Sequence, residues 1–508
     1  MGERKKRTKL KKSMGPGSIW AVAVGSIIGW GCFIQGGLWT ERAGGTLPLF
    51  LGFLAGGLLM IVVGYSYSYM IAKFPVAGGE FAYAYKGFGR TASYICGWML
   101  SLGYLSIVAL NATALPVLAS YVFPGVFNRG YLYTIAGYDV YMGEVGLSLF
   151  FIILFGIMNY KGAKSVGNLQ LIMVLIMCAA VVVSVAGVVV TGHFDVTNLQ
   201  PAYGAEGKTL GGGLVSILAL APFLYVGFDC IPQAAEEYDF PPQKCKLLII
   251  SALIVGALIY GAMALVTDCV VPWQQVLTMT DANGVLVKWH TGAILDLAMG
   301  KIGVCFVALA VCMGIFTGMN GFFMTSSRLL FGMARAKMLP SVFEKVHPEH
   351  KTPSVCVVFT MIICCICPFF GREVIGWVVD MCSVGTAFGY FFTCAGAYIL
   401  LKKYGDATDT NRIHPAVALG GCIISVMILL LLIVPGSPAF MAPQSFAALI
   451  VWVLMGVTFY FVSKKNFAKI SKREMDYLIL GNVQVVRGMR KGKDQGSVVQ
   501  GNVVQPKI

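Results

Sequence analysis

The chain has 508 residues, of which 57% are hydrophobic and 12% are charged, and its mean hydropathy is +0.77. Soluble globular proteins carry about a quarter charged residues and disordered chains have low hydrophobicity, so both classes are excluded. The formal net charge of +15 does not indicate nucleic-acid binding, because the basic residues lie at the chain ends and in short segments between long apolar runs, as in polytopic membrane proteins.

The apolar runs predict an all-α polytopic membrane protein with twelve transmembrane helices, since each crossing needs about 20 apolar residues. Residues 1–15 and 464–508 are predicted as basic segments before and after the membrane region. The predicted spans are residues 16–40, 46–72, 92–123, 144–160, 166–191, 211–240, 245–272, 300–328, 354–371, 374–401, 416–435 and 443–463.

The orientation follows from the positions of the basic residues. If the N-terminus is inside, the inner segments contain 32 Lys and Arg residues and the outer segments contain six. The positive-inside rule then predicts that both termini are cytoplasmic, and we expect a multi-pass protein of the plasma membrane. The tail after Ser463 is expected to lie on the anionic inner leaflet or to be disordered.

Two predicted spans contain residues that interrupt helices. Span 1 contains Gly25, Gly29 and Gly31, and span 6 contains Pro222 and Gly227. Glycine inside a helix costs about 1 kcal/mol relative to alanine and proline about 3 kcal/mol. We therefore predict that both helices are broken near the bilayer midplane, although close packing of glycine faces is an alternative for span 1.

The two breaks occur at corresponding positions, five spans apart. A repeat with an odd number of spans must insert with inverted topology, and such repeats are typical of secondary transporters whose site lies where the broken helices meet. The predicted units are residues 16–191 for the first repeat, 211–401 for the second, and 416–463 for two further helices.

Five ordered motifs resemble the amino acid–polyamine–organocation (APC) transporter superfamily over residues 15–463. The resemblance implies a LeuT-type 5+5 inverted repeat with two peripheral helices, and alternating access to a small amine-bearing solute, usually an amino acid. The motifs are Gly25-Ser-Ile-Ile-Gly-Trp-Gly-Cys-Phe33, Phe74-Pro-Val-Ala-Gly-Gly-Glu-Phe-Ala-Tyr83, Gly227-Phe-Asp229 with Ala235-Glu-Glu237 and Pro241, Ser327-Arg-Leu-Leu-Phe-Gly-Met-Ala-Arg335 with Leu339-Pro340, and Thr352-Pro353.

The resemblance also implies substrate-binding residues. The backbone N–H groups of Gly29, Trp30 and Gly31 would bind the solute carboxylate at the start of the second half of helix 1. Carbonyl groups would accept hydrogen bonds from the solute ammonium, and they belong to Ile27, Phe223 and Val226. Relatives often have a small residue where this chain has Trp30, which either stacks on the solute or narrows the pocket.

Further side chains are candidates for the walls of the site. Phe223, Tyr225 and Phe228 are predicted as walls or gates, with ordinary packing as the alternative. Asn111 and Thr113 resemble a polar patch that faces the site in relatives, and a hydrogen bond between helices is the alternative.

Asp229 is the candidate for coupling or charge recognition. A carboxylate in the middle of a membrane costs roughly 2.5–3.5 kcal/mol on insertion scales and is seldom kept without a role. It could exchange a proton or oppose the charge of a cationic solute, and exposure to water at the helix break is the alternative.

The coupling ion, H⁺ or Na⁺, is left open by the sequence, and no cofactor, metal site or catalytic residue is predicted. Some relatives place a Lys on helix 5 in place of sodium, but residues 165–190 contain no charged residue. Thr317 and Asn320 are candidates for sodium ligands. Glu80, Glu236, Glu237, Arg328 and Arg335 are predicted to form a charged inner gate or loop network, with a solvated face as the alternative.

Three hypotheses for function remain. The first is an amino acid permease or exchanger, and the second is a transporter of a polyamine or another organic cation with the same fold. The third, a membrane-embedded enzyme, would need a His, Ser or metal constellation, and the five His residues all lie in predicted loops. The expected partners are a small-molecule substrate and the lipid bilayer, with no nucleic acid, and the sequence does not address the oligomeric state.

Overall fold

Long apolar helices dominate the computed structural model of the chain. The described residues are 7–8, 10–135, 138–204, 207–280, 284, 287, 289–371, 374–404, 414–437 and 439–481. The helices of the first half are α1 (Pro16–Ile28), α2 (Gly31–Ile34), α3 (Gly36–Ala43), α4 (Thr46–Lys73), α5 (Gly79–Phe88), α6 (Arg90–Val122), α7 (Met142–Lys161) and α8 (Ala163–Val190).

The second half continues with twelve helices among the described residues, several of them short. They are α9 (Leu210–Leu218), α10 (Ala221–Leu224), α11 (Cys230–Gln233), α12 (Cys245–Val270), α13 (Trp273–Val276), α14 (His290–Met299), α15 (Lys301–Arg335), α16 (Ser354–Cys364), α17 (Val374–Tyr404), α18 (Pro415–Ile433), α19 (Pro443–Phe467) and α20 (Lys472–Leu480).

Ten of these segments within the described residues are long and apolar enough to cross a bilayer, which confirms a multi-pass membrane protein. The other two predicted spans differ from regular membrane helices. The predicted span 211–240 is divided into the short helices α9, α10 and α11, and the predicted span 354–371 corresponds to a shorter apolar helix over Ser354–Phe370. The number of twelve crossings and the inverted repeat stay predictions.

The loop between α6 and α7 contains a β-hairpin that the sequence analysis did not predict. Its strands are β1 (Tyr131–Ile135) and β2 (Tyr138–Tyr141), and they pair antiparallel with Ile135 opposite Tyr138. Aromatic and β-branched residues favour such pairing. The prediction of an all-α fold therefore holds for the membrane region, and this loop adds two short strands.

Burial separates a central set of helices from a peripheral set. Helix α1 packs against α8, α12 and α15, and α6 packs against α15 and α17. The outer faces of several other helices expose large apolar side chains, such as Phe150 on α7, Leu430 on α18 and Phe461 on α19. An apolar belt of this extent is expected to face lipid chains, so the helices that surround α1 form the interior in which a site can be built.

The segment after α19 departs from the prediction of a tail on the membrane surface. Helix α20 packs on the protein and buries Met475, Leu478 and Ile479. Its Asp476 accepts a hydrogen bond from Tyr85 of α5 at 2.8 Å. Residues 482–508, which make up the rest of the predicted basic tail, lie outside the described residues.

The N-terminal segment forms hydrogen bonds with the C-terminal end of α20. The Arg7 guanidinium donates to the carbonyl oxygens of Leu478 at 3.0 Å and Ile479 at 3.4 Å. Positive charge at the C-terminal end of a helix is stabilising. Arg7 and the end of α20 therefore meet at the ends of the membrane helices that are predicted to be inner.

Truncation of the tail at two positions tests this arrangement. A chain that ends after Ser471 lacks α20 and the apolar side chains that it buries, each of which stabilises the fold by about 1.5–3 kcal/mol. A chain that ends after Gly481 keeps α20 and is the matched control. We expect the first truncation to lower the melting temperature of the purified protein and the second to leave it unchanged. Equal melting temperatures for the two truncations would contradict the packing of α20.

Candidate functional site

The first interruption lies between α1 and α2, where the sequence predicts a break. Gly29 has φ +52°, a conformation that glycine adopts without strain. Among the described residues, no hydrogen bond is formed by the backbone N–H of Trp30 or Gly31. A side chain added at Gly29 would meet no described atom within 4 Å. The break therefore presents peptide groups beside open space.

The second interruption lies between α10 and α11, and it touches the first. Gly227 has φ +136°, and a Cβ atom at this position would lie 2.6 Å from the Ile27 nitrogen and 2.7 Å from the carbonyl carbon of Ser26. Only glycine allows the two backbones to approach so closely. The sequence prediction that two broken helices meet is therefore confirmed by the backbone.

Tyr260 of α12 joins the two breaks. Its buried hydroxyl is 2.7 Å from the carbonyl oxygen of Leu224, the last residue of α10, and it also contacts the carbonyl oxygen of Ile27 near the end of α1. The carbonyl of Ile27, predicted to bind a solute ammonium, is therefore already engaged by a protein hydroxyl. Sequence reasoning missed Tyr260, because the signal was only a hydroxyl within an apolar helix.

Helix α15 forms a third side of the site. A Cβ atom on Gly314 would lie 1.9 Å from the carbonyl oxygen of Gly29, and one turn later a Cβ atom on Gly318 would lie 2.6 Å from Oδ1 of Asn111. The amide nitrogen of Asn111 donates to its own helix, to the Ile107 carbonyl at 2.8 Å. Its Oδ1 is buried and has no hydrogen-bond partner among the described residues.

The three predicted aromatic walls have different surroundings. The half-buried Phe223 lines a cavity of about 280 Å³ together with Trp39, Arg42 and Asp380. The Tyr225 hydroxyl instead donates to the Phe53 carbonyl of α4 at 2.5 Å. The lining of the cavity includes Arg42, which the sequence predicts to be on the outer side, so the cavity lies toward the predicted outer surface.

The Phe228 ring packs away from the breaks. It stacks on Tyr390 of α17 with 5.5 Å between ring centroids and meets the edge of Tyr67 of α4 at 5.1 Å. It is fully buried. These contacts are ordinary aromatic packing, which was the alternative interpretation of the predicted wall.

Asp229 is fully buried and turns away from the first break. One carboxylate oxygen accepts from the Gly227 N–H at 2.7 Å, and the other accepts from the Tyr104 hydroxyl at 3.0 Å. The same hydroxyl lies 3.2 Å from Oε1 of Glu80, whose Oε2 accepts from the Gln233 amide at 2.5 Å. Exposure to water at the helix break, one alternative for Asp229, is therefore wrong for this structure.

Charged groups close the predicted inner side. Arg328 pairs with Glu237 at 2.7 Å, and Glu236 pairs with Arg335 at 2.8 Å and with Arg7 at 2.6 Å.

The predicted inner network is confirmed for four of its five members. Glu236, Glu237, Arg328 and Arg335 form the ion pairs, whereas Glu80 lies apart from them and is bonded to Tyr104 and Gln233. The physical reason is that Glu80 opens α5 and faces the interior with no exposed surface.

The candidate sodium ligands are engaged by protein amides. The Gln170 amide of α8 donates to the Thr317 carbonyl at 3.0 Å, and the Asn320 amide donates to Oε1 of Gln170 at 2.7 Å. The Thr317 hydroxyl lies 3.1 Å from the Gly25 carbonyl. A neutral amide from α8 therefore fills the junction between α1 and α15.

Comparisons with known proteins agree with this architecture. Residues 15–458 match the family described as Amino acid permease. The Methylthioribose transporter of Bacillus subtilis (strain 168) is 24% identical over 487 residues, which are 93% of this chain and 97% of that protein. The Branched-chain amino acid permease BcaP of the same organism is 24% identical over 486 residues, 91% of this chain and 95% of that protein. Cationic amino acid transporter 5 of Arabidopsis thaliana is 27% identical over 409 residues, 80% of this chain and 67% of that protein.

Proposed function

The chain belongs to the amino acid permease family, and from this premise we propose that it is a secondary active transporter that moves an amino acid across the plasma membrane by alternating access. The family and the relatives above are transporters and not enzymes. The observation that carries the proposal is the meeting of two broken helices beside open space at Gly29.

The solute carboxylate is assigned to the first break. The N–H groups of Trp30 and Gly31 are without partners among the described residues, and Gly29 has no side chain that would block access. Helix α2 has only four residues, so we assign recognition to these backbone groups and not to a long helix dipole. The ammonium is assigned to the carbonyls of Ile27 and Leu224, where it would share acceptors with Tyr260. The sequence-based assignment to Phe223 and Val226 stays a prediction.

We favour an uncharged amino acid side chain over a cationic one. The acid that could oppose a cationic solute, Asp229, is turned away from the first break and already accepts two hydrogen bonds. The names of the relatives cover branched-chain amino acids, cationic amino acids and methylthioribose, so they do not select one class. A polyamine would leave the carboxylate-binding N–H groups unused.

Alternating access is supported by an unequal closure of the two sides. Buried ion pairs lie on the side predicted to be inner, and a cavity is lined by Phe223 together with Arg42, a residue predicted to be on the outer side. We propose the LeuT-type 5+5 arrangement of twelve helices, with both termini in the cytoplasm. The arrangement places the outer cavity on the route of an entering solute.

We do not assign a sodium site to the junction of α1 and α15. The Thr317 carbonyl already accepts from the Gln170 amide, and the Thr317 hydroxyl already contacts Gly25. The Gln170 side chain fills this junction with amide hydrogen bonds to Thr317 and Asn320 and carries no charge. We therefore expect transport that does not depend on a sodium gradient.

Uptake into liposomes tests the proposal. Purified protein is reconstituted and offered labelled leucine, arginine, putrescine and methylthioribose, each with imposed proton or sodium gradients. Saturable leucine uptake that is unaffected by sodium supports the proposal. Uptake of putrescine without leucine favours the organic-cation hypothesis, and uptake of methylthioribose alone would overturn the assignment to an amino acid.

Replacing Tyr260 with phenylalanine tests whether both breaks form one site. The change removes the hydroxyl that the Ile27 and Leu224 carbonyls share, and an unpaired buried polar group costs about 1–3 kcal/mol. We expect the KM for leucine to fall by up to about tenfold, because the solute ammonium then satisfies both freed carbonyls without competition and 1.4 kcal/mol corresponds to that factor. The matched control is Tyr94→Phe, which removes another buried hydroxyl, one that donates to the Gly456 carbonyl of α19 at 2.7 Å. Equal KM values in the two variants would contradict the assignment.

A further inference from the structure

Two buried carboxylates share one hydroxyl group behind the second break. The Tyr104 hydroxyl of α6 lies 3.2 Å from Oε1 of Glu80 and 3.0 Å from Oδ2 of Asp229. Glu80, Tyr104 and Asp229 all have no exposed surface. The two carboxyl groups therefore lie no farther apart than the sum of these two distances.

Two carboxyl groups share the single hydrogen of the Tyr104 hydroxyl at this point. A phenol has one hydrogen to donate, and an ionised carboxylate has none. The outer oxygens have their own donors, because the Gly227 N–H serves Asp229 and the Gln233 amide serves Glu80. Among the described residues, the Tyr104 hydroxyl is the donor within hydrogen-bond distance of both inner oxygens, Oε1 of Glu80 and Oδ2 of Asp229. The Tyr67 hydroxyl also interacts with the Glu80 carboxyl. One additional proton on a carboxyl group would give each inner oxygen a hydrogen-bonded neighbour.

The surroundings do not neutralise two negative charges. No Lys, Arg or His among the described residues forms an ion pair with Glu80 or Asp229. Two close carboxylates that are removed from water do not both ionise readily. The other titratable groups that act on them from the packed elements are phenols and thiols: Tyr67 of α4, Tyr83 of α5, Cys96 of α6, Cys230 of α11, and Cys382 and Tyr390 of α17.

The pair is connected directly to the unwound part of the second break. Asp229 accepts from Gly227, the residue whose backbone touches Ile27 and Ser26. Glu80 is connected to α11 through Gln233, and a Cβ atom on the preceding residue, Gly79, would lie 2.8 Å from Pro232. A change in the charge of the pair therefore acts on both ends of the unwound segment.

We propose that Glu80, Tyr104 and Asp229 form a binding site for one exchangeable proton, and that this proton is the coupling ion of transport. The proton is shared between the two carboxyl groups with the phenol as the bridge. When it leaves, two negative charges face each other beside the Gly227 turn, and their repulsion favours rearrangement of the second break. This inference rests on the proposed function and adds the coupling ion and its residues to it.

The test combines two transport assays on the reconstituted full chain with labelled leucine. Net uptake is measured with and without an inward proton gradient, and leucine-for-leucine exchange is measured without any gradient. The variants are Glu80→Gln, Asp229→Asn and Tyr104→Phe. The control is Asp268→Asn, another fully buried carboxyl group, which is bonded to the hydroxyls of Thr46 and Thr40 and not to the breaks.

We expect an inward gradient of one pH unit to raise the steady-state accumulation of leucine by the wild type and by Asp268→Asn up to about tenfold, the limit for one proton per leucine, since one pH unit is worth about 1.36 kcal/mol. Glu80→Gln and Asp229→Asn should lose this stimulation and keep exchange, and Tyr104→Phe should shift the pH at which uptake is half-maximal. Stimulation that persists in both carboxyl variants would overturn the proposal, as would a wild type that exchanges leucine without responding to the gradient. Absence of both uptake and exchange in the wild type would overturn the proposed function instead.

Discussion

Replacing Gly314 with alanine is expected to reduce leucine uptake to the background of empty liposomes. The added Cβ atom would lie 1.9 Å from the carbonyl oxygen of Gly29 and 2.6 Å from its carbonyl carbon, far inside van der Waals contact. The atom that it meets is backbone, so no side-chain rotation can relieve the clash. Either α15 or the first break must move, and the N–H groups of Trp30 and Gly31 move with the break.

The matched control for this variant is Gly146→Ala. Gly146 also lies in a membrane helix, α7, but a Cβ atom there would meet no described atom within 4 Å. Size-exclusion chromatography of both variants separates a loss of the site from a loss of folding. Uptake by Gly314→Ala within about twofold of the wild type, a difference below 1 kcal/mol, would mean that the first break does not have this geometry. If Gly314→Ala also fails to fold, Gly29→Ala keeps the prediction testable, since the space beside Gly29 is open and only its φ of +52° disfavours alanine.

The helix breaks were predictable because their cause is local. Glycine and proline weaken a helix wherever they occur, and the positions of Gly29 and Gly227 along the chain sufficed to place both breaks. The contact between them was predictable only from the repeat argument. The close approach of Gly314 to the Gly29 carbonyl was not predictable, because a glycine in the middle of an apolar helix does not indicate which backbone it contacts.

The sequence could not predict which way the buried side chains of Glu80 and Asp229 point. A helical periodicity assigns a side chain to a face only while the helix is regular, and Asp229 follows an unwound turn. Tyr104, which connects Asp229 to Glu80, is 125 residues from one and 24 from the other. Sequence reasoning therefore placed Glu80 with the inner ion pairs and gave Asp229 no partner.

The docking of α20 had a signal that was overlooked. Met475, Leu478 and Ile479 are spaced as on one face of a helix, and Ser471 caps its start by accepting from the Glu474 N–H. The surrounding basic residues favoured the interpretation of a surface tail. Gln170 likewise stood out as an amide in the apolar run of α8, but its contacts with Thr317 and Asn320 depend on tertiary packing.

Replacing Arg328 with methionine is expected to lower the melting temperature strongly, because it removes one charge of a fully buried ion pair on the predicted inner side. Arg328 and Glu237 expose 1% and 2% of their side chains and pair through two contacts, at 2.7 and 3.3 Å. Loss of one partner leaves a buried, uncompensated charge, which costs about 3–5 kcal/mol. The backbone carbonyl of Glu237 also accepts from Ser13 and Met14 just before α1, so the damage reaches the start of the first broken helix.

Thermal unfolding of the purified variant measures the loss, and a double replacement distinguishes its cause. Arg328→Met combined with Glu237→Met removes both charges and should recover most of the melting temperature, because a buried pair can often be replaced by apolar residues without loss. The control is Lys301→Met, which breaks an ion pair with Asp296 whose lysine side chain is 86% exposed; we expect no measurable change there. Recovery of the melting temperature in the double variant would show that the uncompensated carboxylate of Glu237 causes the loss. Equal losses in the single and double variants would contradict this and would show that the guanidinium stabilises the fold through packing alone.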